Sequence, residues 1–133
     1  MGQKFNQWLN NLPTLIKSFD GFNSLISANP NPPQNLIDQW QSLVGQRDEA
    51  LKELSLEHQA ISENYGPSSY PWLGQFKSSA SRYGTNANAK AYLRPVAESF
   101  YTLVRFKCLN TGKSLQASWR LELSEFENLL DHL

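Results

Sequence analysis

Residues 109–114 read Leu-Asn-Thr-Gly-Lys-Ser, LNTGKS. Gly112, Lys113 and Ser114 are the tail of a phosphate-binding loop, and the reading of this stretch decides the fold. Such a loop needs G-x-x-x-x-G-K-S/T between a buried strand and a helix, its first glycine letting successive amides turn toward phosphate oxygens. The position where that glycine belongs is Lys107. After Ser114, Leu115, Ala117, Trp119, Leu121 and Leu123 alternate with Gln116, Ser118, Arg120 and Glu122. That period of two predicts a strand where the motif demands a helix. Before the turn, Phe100, Thr102, Val104, Phe106 and Cys108 alternate in the same way. A Thr-Gly pair between two alternating runs predicts a β-hairpin.

The register supports that reading. With Thr111 and Gly112 at the tip, Cys108 meets Leu115, Phe106 meets Ala117, Val104 meets Trp119 and Phe100 meets Leu123. A three-residue loop would set Phe106 against Gln116 and turn the wrong face inward. The GKS is therefore turn chemistry, and a nucleotide site is not expected.

Upstream, Phe5, Trp8, Leu9, Leu12, Leu15, Ile16, Phe19, Phe22, Leu25 and Ile26 recur at steps of three and four. This predicts an amphipathic helical region. Pro13 marks either a kink or the first turn of a second helix. Asn29-Pro30-Asn31-Pro32-Pro33 is a connector. From Gln34 to about Asn64, Ile37, Trp40, Val44, Leu51, Leu54 and Ile61 trace a heptad seam interrupted by Arg47 and His58. A helix of that length spans on the order of 45 Å. The seam residues are candidates for self-association or for holding a partner helix; alternatively, the N-terminal helices fold back antiparallel along it.

Residues 64–91 are rich in Gly, Ser, Pro, Asn and Tyr and read as an ordered irregular loop, with at most one helical turn at Trp72, Leu73 and Phe76. Tyr92 to Val96 is a candidate third strand. Ser124-Glu125-Phe126-Glu127 fits a capping box opening a last helix, with Phe126, Leu129, Leu130 and Leu133 inward. The expected architecture is an α+β single domain over 1–133. It comprises a helical part at 1–63, the aromatic and basic loop at 64–91, a β-hairpin region at 92–123 and a C-terminal helix at 124–133.

The chain has 133 residues and no net charge, but the charge is unevenly spread. Residues 1–63 carry four cations against seven acids, residues 64–121 carry eight cations against Glu98 alone, and residues 122–133 carry four acids and no cation. The basic stretch also holds most of the aromatic residues. Cations neutralise phosphates and rings stack on bases. Arg105, Lys107, Arg120, Tyr101, Lys77, Arg82, Arg94 and Trp72 are accordingly the candidate contacts to nucleic acid or an acidic partner. Solvated strand faces are also commonly Lys- and Arg-rich, and the acidic last helix is placed to cover the basic residues.

Catalytic chemistry is not legible. His58 and His132 are the only histidines and Cys108 the only cysteine. No metal-ligand spacing exists, and neither a metal nor another cofactor is expected. Asp48, Glu49, Glu53 and Glu57 read as a solvated helix face. A small basic ribonuclease acting with Arg, Lys and Tyr alone is the one enzymatic reading left. No apolar run of about 18 residues occurs, so no membrane span is expected. Position 6 is Asn6, which breaks a myristoylation signal after Met1-Gly2, and the N-terminus lacks a signal peptide's apolar core. One cysteine suits a reducing compartment, and the expected location is cytoplasmic.

Two functions follow. The first is a small non-enzymatic interaction or adaptor protein, acting in an assembly through its helical part. The second is a nucleic-acid-binding accessory protein using residues 64–121. Replacing Arg105, Lys107 and Arg120 by Glu is expected to separate them.

Overall fold

The computed structural model describes residues 2–58, 60 and 64–133. It contains α1 (Gln3–Asn10), α2 (Leu12–Ala28), α3 (Gln34–Glu57), a single 3-10 turn (Pro67–Ser69), α4 (Pro71–Tyr83), α5 (Ala87–Asn110) and α6 (Lys113–His132). Among the described residues there is no strand, so the α+β expectation is overturned: the fold is all-helical.

The N-terminal half follows its punctuation. Pro13 lies in the first turn of α2, where its missing N–H costs nothing. Asn29 Oδ1 accepts from Asn31 N at 3.0 Å to shape the Pro-rich connector. Helix α3 has 24 residues, about 36 Å at 1.5 Å per residue. Helices α1 and α2 run back antiparallel along it, as the Lys4–Glu49 pair (2.9 Å) and the Phe19–Trp40 ring contact (6.3 Å) show. The Glu53 carboxylate caps α1 from across this contact, accepting from Lys4 N (3.2 Å) and Phe5 N (2.7 Å). Gly2 makes room for that carboxylate, because a Cβ there would lie 2.5 Å from it.

The segment expected to be an irregular loop holds α4. Pro71 stands in its first turn. Gly84 ends it where a Cβ would meet the Ala80 carbonyl at 2.6 Å. Asn86 then caps α5, its Oδ1 accepting from Ala89 N at 2.8 Å. These three start and stop signals were present in the sequence.

The β-hairpin is replaced by a helical hairpin. The chain reverses at Thr111-Gly112, but between α5 and α6. Thr111 Oγ1 donates to the Lys107 carbonyl (2.9 Å) and Asn110 Nδ2 to that of Phe106 (2.8 Å), satisfying carbonyls at the end of α5. Helix α5 buries Tyr92, Leu93, Val96, Ala97, Phe100, Leu103, Val104, Lys107 and Cys108. That stripe at steps of three and four runs for 17 residues and outweighs an alternation seen over nine. Pro95 does not break it. It leaves the carbonyl of Ala91 without its helical donor, and Ala91 is exposed to water. In α6 the buried residues are Trp119, Phe126 and Leu129, whereas Leu121, placed inward by the strand register, is 66 % exposed. Helix α6 runs unbroken through Ser124, so the capping box there starts nothing.

The core is a connected set of rings. Phe126 stacks on Phe100 (5.3 Å), Phe100 on Phe76 (4.6 Å) and Phe76 on Trp8 (6.3 Å). Trp8 continues to Tyr92 (6.3 Å), and Tyr92 stacks on Phe19 (4.7 Å). This chain joins α1, α2, α4, α5 and α6. At its centre the Tyr92 hydroxyl accepts from Trp8 Nε1 (3.1 Å) and donates to the Leu43 carbonyl of α3 (2.7 Å).

Candidate functional site

The residues expected to face a partner are distributed by the α5–α6 hairpin. Arg105 projects from α5 and Arg120 from α6, both exposed. Lys107, two positions from Arg105, is turned by 200° around a helix instead of returning to one strand face. It is only 2 % exposed. Its Nζ lies 3.2 Å from the Tyr70 hydroxyl, 4.5 Å above the Tyr70 ring and 5.3 Å from the Trp119 ring. Burial pushes the ammonium below its ordinary range, and Glu57 partly restores it. Burial likewise raises the Tyr70 phenol, with smaller contributions from Glu57 and Tyr65. Trp119 closes this corner by donating from Nε1 to the Tyr65 carbonyl (3.1 Å). Lys107 is therefore a core cation, and a triple replacement that included it would perturb packing as well as binding.

The other expected contacts are mostly engaged within the chain. Lys77 is held by Glu122 and Glu125 of α6 and lies 5.5 Å from the Phe126 ring. Burial opposes its charge, but the two carboxylates outweigh this and raise it above its ordinary range. Arg94 pairs with Glu98 (3.0 Å), and Arg82 lies over the Tyr83 ring (5.4 Å). Trp72 packs edge-on against Phe5 (6.1 Å) and Tyr70 (5.4 Å). Tyr101 is half-buried against the core. The acidic α6 thus covers part of the basic segment.

The heptad seam also turns inward. Leu54 is fully buried, and Trp40, Val44 and Leu51 are partly buried against the core of their own chain. Ile37 is partly buried as well. Ile61 lies outside the described residues.

What remains open is the outer face of α5 near its C-terminus, with the start of α6. Leu109 is 74 % exposed and Phe106, one helical step before it, 44 %. Arg105 stands four positions before Leu109, and Lys113 begins α6. Arg120 is close enough to Cys108 to oppose the upward push that burial gives that thiol. Among the described residues Arg105, Lys113 and Arg120 form no ion pair. Sequence reasoning had put Phe106 in the core and missed Leu109. A helical projection of 100–110, with Thr102, Arg105, Phe106 and Leu109 opposite Phe100, Val104, Lys107 and Cys108, would have found both.

Gly112 does open a helix, which removes one argument against a phosphate loop. The element before it is a helix, however, and the two-residue turn at Thr111-Gly112 is too short to wrap a phosphate. Among the described residues no group of three or more His, Cys, Asp and Glu side chains could hold a metal ion. Among the described residues no helix is long and apolar enough to cross a membrane. His58 packs beside Ser99 and Lys107, and burial lowers its imidazole below the ordinary range, with Lys107 adding to this and the Ser99 backbone opposing it. His132 is exposed near the end of α6. No family model, curated protein or solved structure matches this chain.

Proposed function

We propose that the protein is a non-enzymatic interaction module whose contact face is the outer surface of the α5–α6 hairpin, and that it receives an acidic, amphipathic helix of a partner protein. One observation carries this reading: Leu109, the most exposed large apolar side chain among the described residues, shares the outer face of α5 with Phe106 and Arg105, and neither Arg105 nor Lys113 and Arg120 of the next helix forms an ion pair among the described residues. Apolar anchors on a hairpin that carries unpaired charge of one sign suit a partner with an apolar stripe and the opposite charge. This moves the interaction face from the α3 seam to α5 and α6. A reducing, cytoplasmic location fits a single cysteine that is buried.

Nucleic acid is the competing reading, since Arg105, Lys113 and Arg120 would equally meet phosphates. It has less to stand on, because Lys107, Lys77 and Trp72 are occupied in the fold and the apolar pair has no role in it. Fluorescence anisotropy separates the two, using a labelled Glu-rich helical peptide with Leu at i, i+3, i+4 and i+7 beside a single-stranded DNA of equal charge. Peptide binding that weakens with salt and is lost in both Leu109→Glu and Arg105→Glu/Arg120→Glu supports the proposal. Stronger binding of the DNA, unaffected by Leu109→Glu, would replace it with the nucleic-acid reading.

A further inference from the structure

Helices α1 and α3 face each other through matching sets of positions. Lys4, Gln7 and Trp8 of α1 and Asn11, which caps its C-terminus, recur at i, i+3, i+4 and i+7, as do Ser42, Gly45, Gln46 and Glu49 on α3. This is the spacing at which packed helices normally present apolar residues to one another. Here the positions are mostly amides, a hydroxyl and a glycine, exposed to solvent except for the buried Trp8 and the half-buried Gly45, and the two helices border an open groove of about 470 Å³ beside their packed contact. That volume lies within the range of small-ligand sites.

Gly45 is the second observation. A glycine inside a helix weakens it relative to alanine. Packing within the chain does not require this one, since nothing lies within 4 Å of the position a Cβ would take. Gly21 and Gly74 also face open space, but the walls around Gly21 come from α2 alone, whereas Gly45 opens onto a groove walled by two helices.

The lining fixes the chemistry. Lys4 is neutralised by Glu49 at 2.9 Å, so the groove offers no free charge to a phosphate or carboxylate. The side chains of Gln7, Asn11, Ser42 and Gln46 make no hydrogen bond within the described chain. A carboxamide presents two donors and an acceptor, the complement of a peptide group. The Trp8 indole is nearly buried and its N–H is committed to Tyr92, so no open ring face is available for a sugar. From Ser42 to Glu49 the groove runs about 10 Å, the length of about three extended residues.

We infer that the α1–α3 groove binds a short, uncharged peptide segment in extended conformation, its main-chain amides read by Gln7, Asn11, Ser42 and Gln46. The site is separate from the α5–α6 face and does not depend on that reading. The test uses Gly45→Leu, whose Cβ meets nothing within 4 Å and which replaces a helix breaker with a helix former; its circular dichroism spectrum and thermal midpoint are compared with those of the wild type first. Wild type and variant are each incubated with a pool of N-acetylated, C-amidated tetrapeptides of degenerate sequence, and retained peptides are identified by mass spectrometry after ultrafiltration. The inference expects a subset of uncharged sequences retained by the wild type and reduced about tenfold or more in the variant. Equal retention by both proteins, no retention by the wild type, or displacement of the retained peptides by N-acetylglucosamine would overturn it.

Discussion

Removing the Tyr92 hydroxyl is the sharpest perturbation of this fold. Tyr92 is fully buried, and its oxygen joins three helices: α5 carries it, α1 supplies the Trp8 N–H at 3.1 Å, and α3 the Leu43 carbonyl at 2.7 Å. Tyr92→Phe keeps the stacking on Phe19 and the Arg47 guanidinium 5.4 Å from the ring centre, so the loss is confined to hydrogen bonding. The Leu43 carbonyl lies inside α3, where an intrahelical amide also reaches it. The Trp8 indole N–H has no such substitute and becomes a buried donor without an acceptor, which costs about 1–2 kcal/mol; with about 1 kcal/mol for the lost bond to Leu43 the total is about 2–3 kcal/mol. For a chain of this size that lowers the thermal midpoint by about 6–15 °C. The assay is urea unfolding followed by circular dichroism and tryptophan fluorescence, with a lower transition midpoint and an unchanged slope. Tyr101→Phe is the control, since Tyr101 is only half-buried and makes no side-chain hydrogen bond among the described residues; it should shift stability by less than about 0.5 kcal/mol. A Tyr92→Phe variant within about 0.5 kcal/mol of wild type would refute the reasoning.

Three other predictions rest on separate parts of the structure. Lys107→Met should stabilise the protein by about 1–2 kcal/mol, because it removes a buried ammonium whose enclosure is mainly aromatic. Since the folded protein depresses Lys107 below 10.5, wild-type stability should gain on the variant's as pH rises from that depressed value to 10.5, which paired pH-dependent melts would show. Burial depresses His58 as well, so between its folded value and 6.5 the unfolded chain binds more protons than the fold; stability should fall as pH drops through that window, and His58→Gln should flatten that slope. Gly2→Ala should displace the Glu53 carboxylate from the α1 amides, and Glu53→Gln should weaken the same cap; each should cost about 1 kcal/mol in denaturant unfolding.

The N-terminal half was legible because its signals are redundant: Pro13, the Asn-Pro connector and a stripe of more than 20 residues all agree. The C-terminal half was misread because short windows are ambiguous. Phe100, Val104 and Cys108 fall on one face of a strand and on one face of a helix alike, and Pro95 discouraged joining them to Tyr92, Leu93 and Val96. Leu103 and Lys107 break the tie for a helix, but a lysine is ordinarily read as exposed, so its place in the core was invisible. The turn at Thr111-Gly112 was legible; the elements it joins were not. For the candidate site, Arg105 and Arg120 are exposed as expected. The pairing of Lys77 with Glu122 and Glu125 depends on α4 meeting α6, a contact that no local pattern records. Gly45 and the amides around it form no motif, and only the antiparallel packing of α1 on α3 brings them together.

The most direct test of the proposed contact face is a chemical-shift map of the protein titrated with the acidic amphipathic peptide. The account predicts that the largest saturable shifts fall on Arg105, Phe106, Leu109, Lys113 and Arg120. Shifts centred on Ile37, Trp40, Val44 and Leu51 would contradict it and return the interaction to the α3 seam.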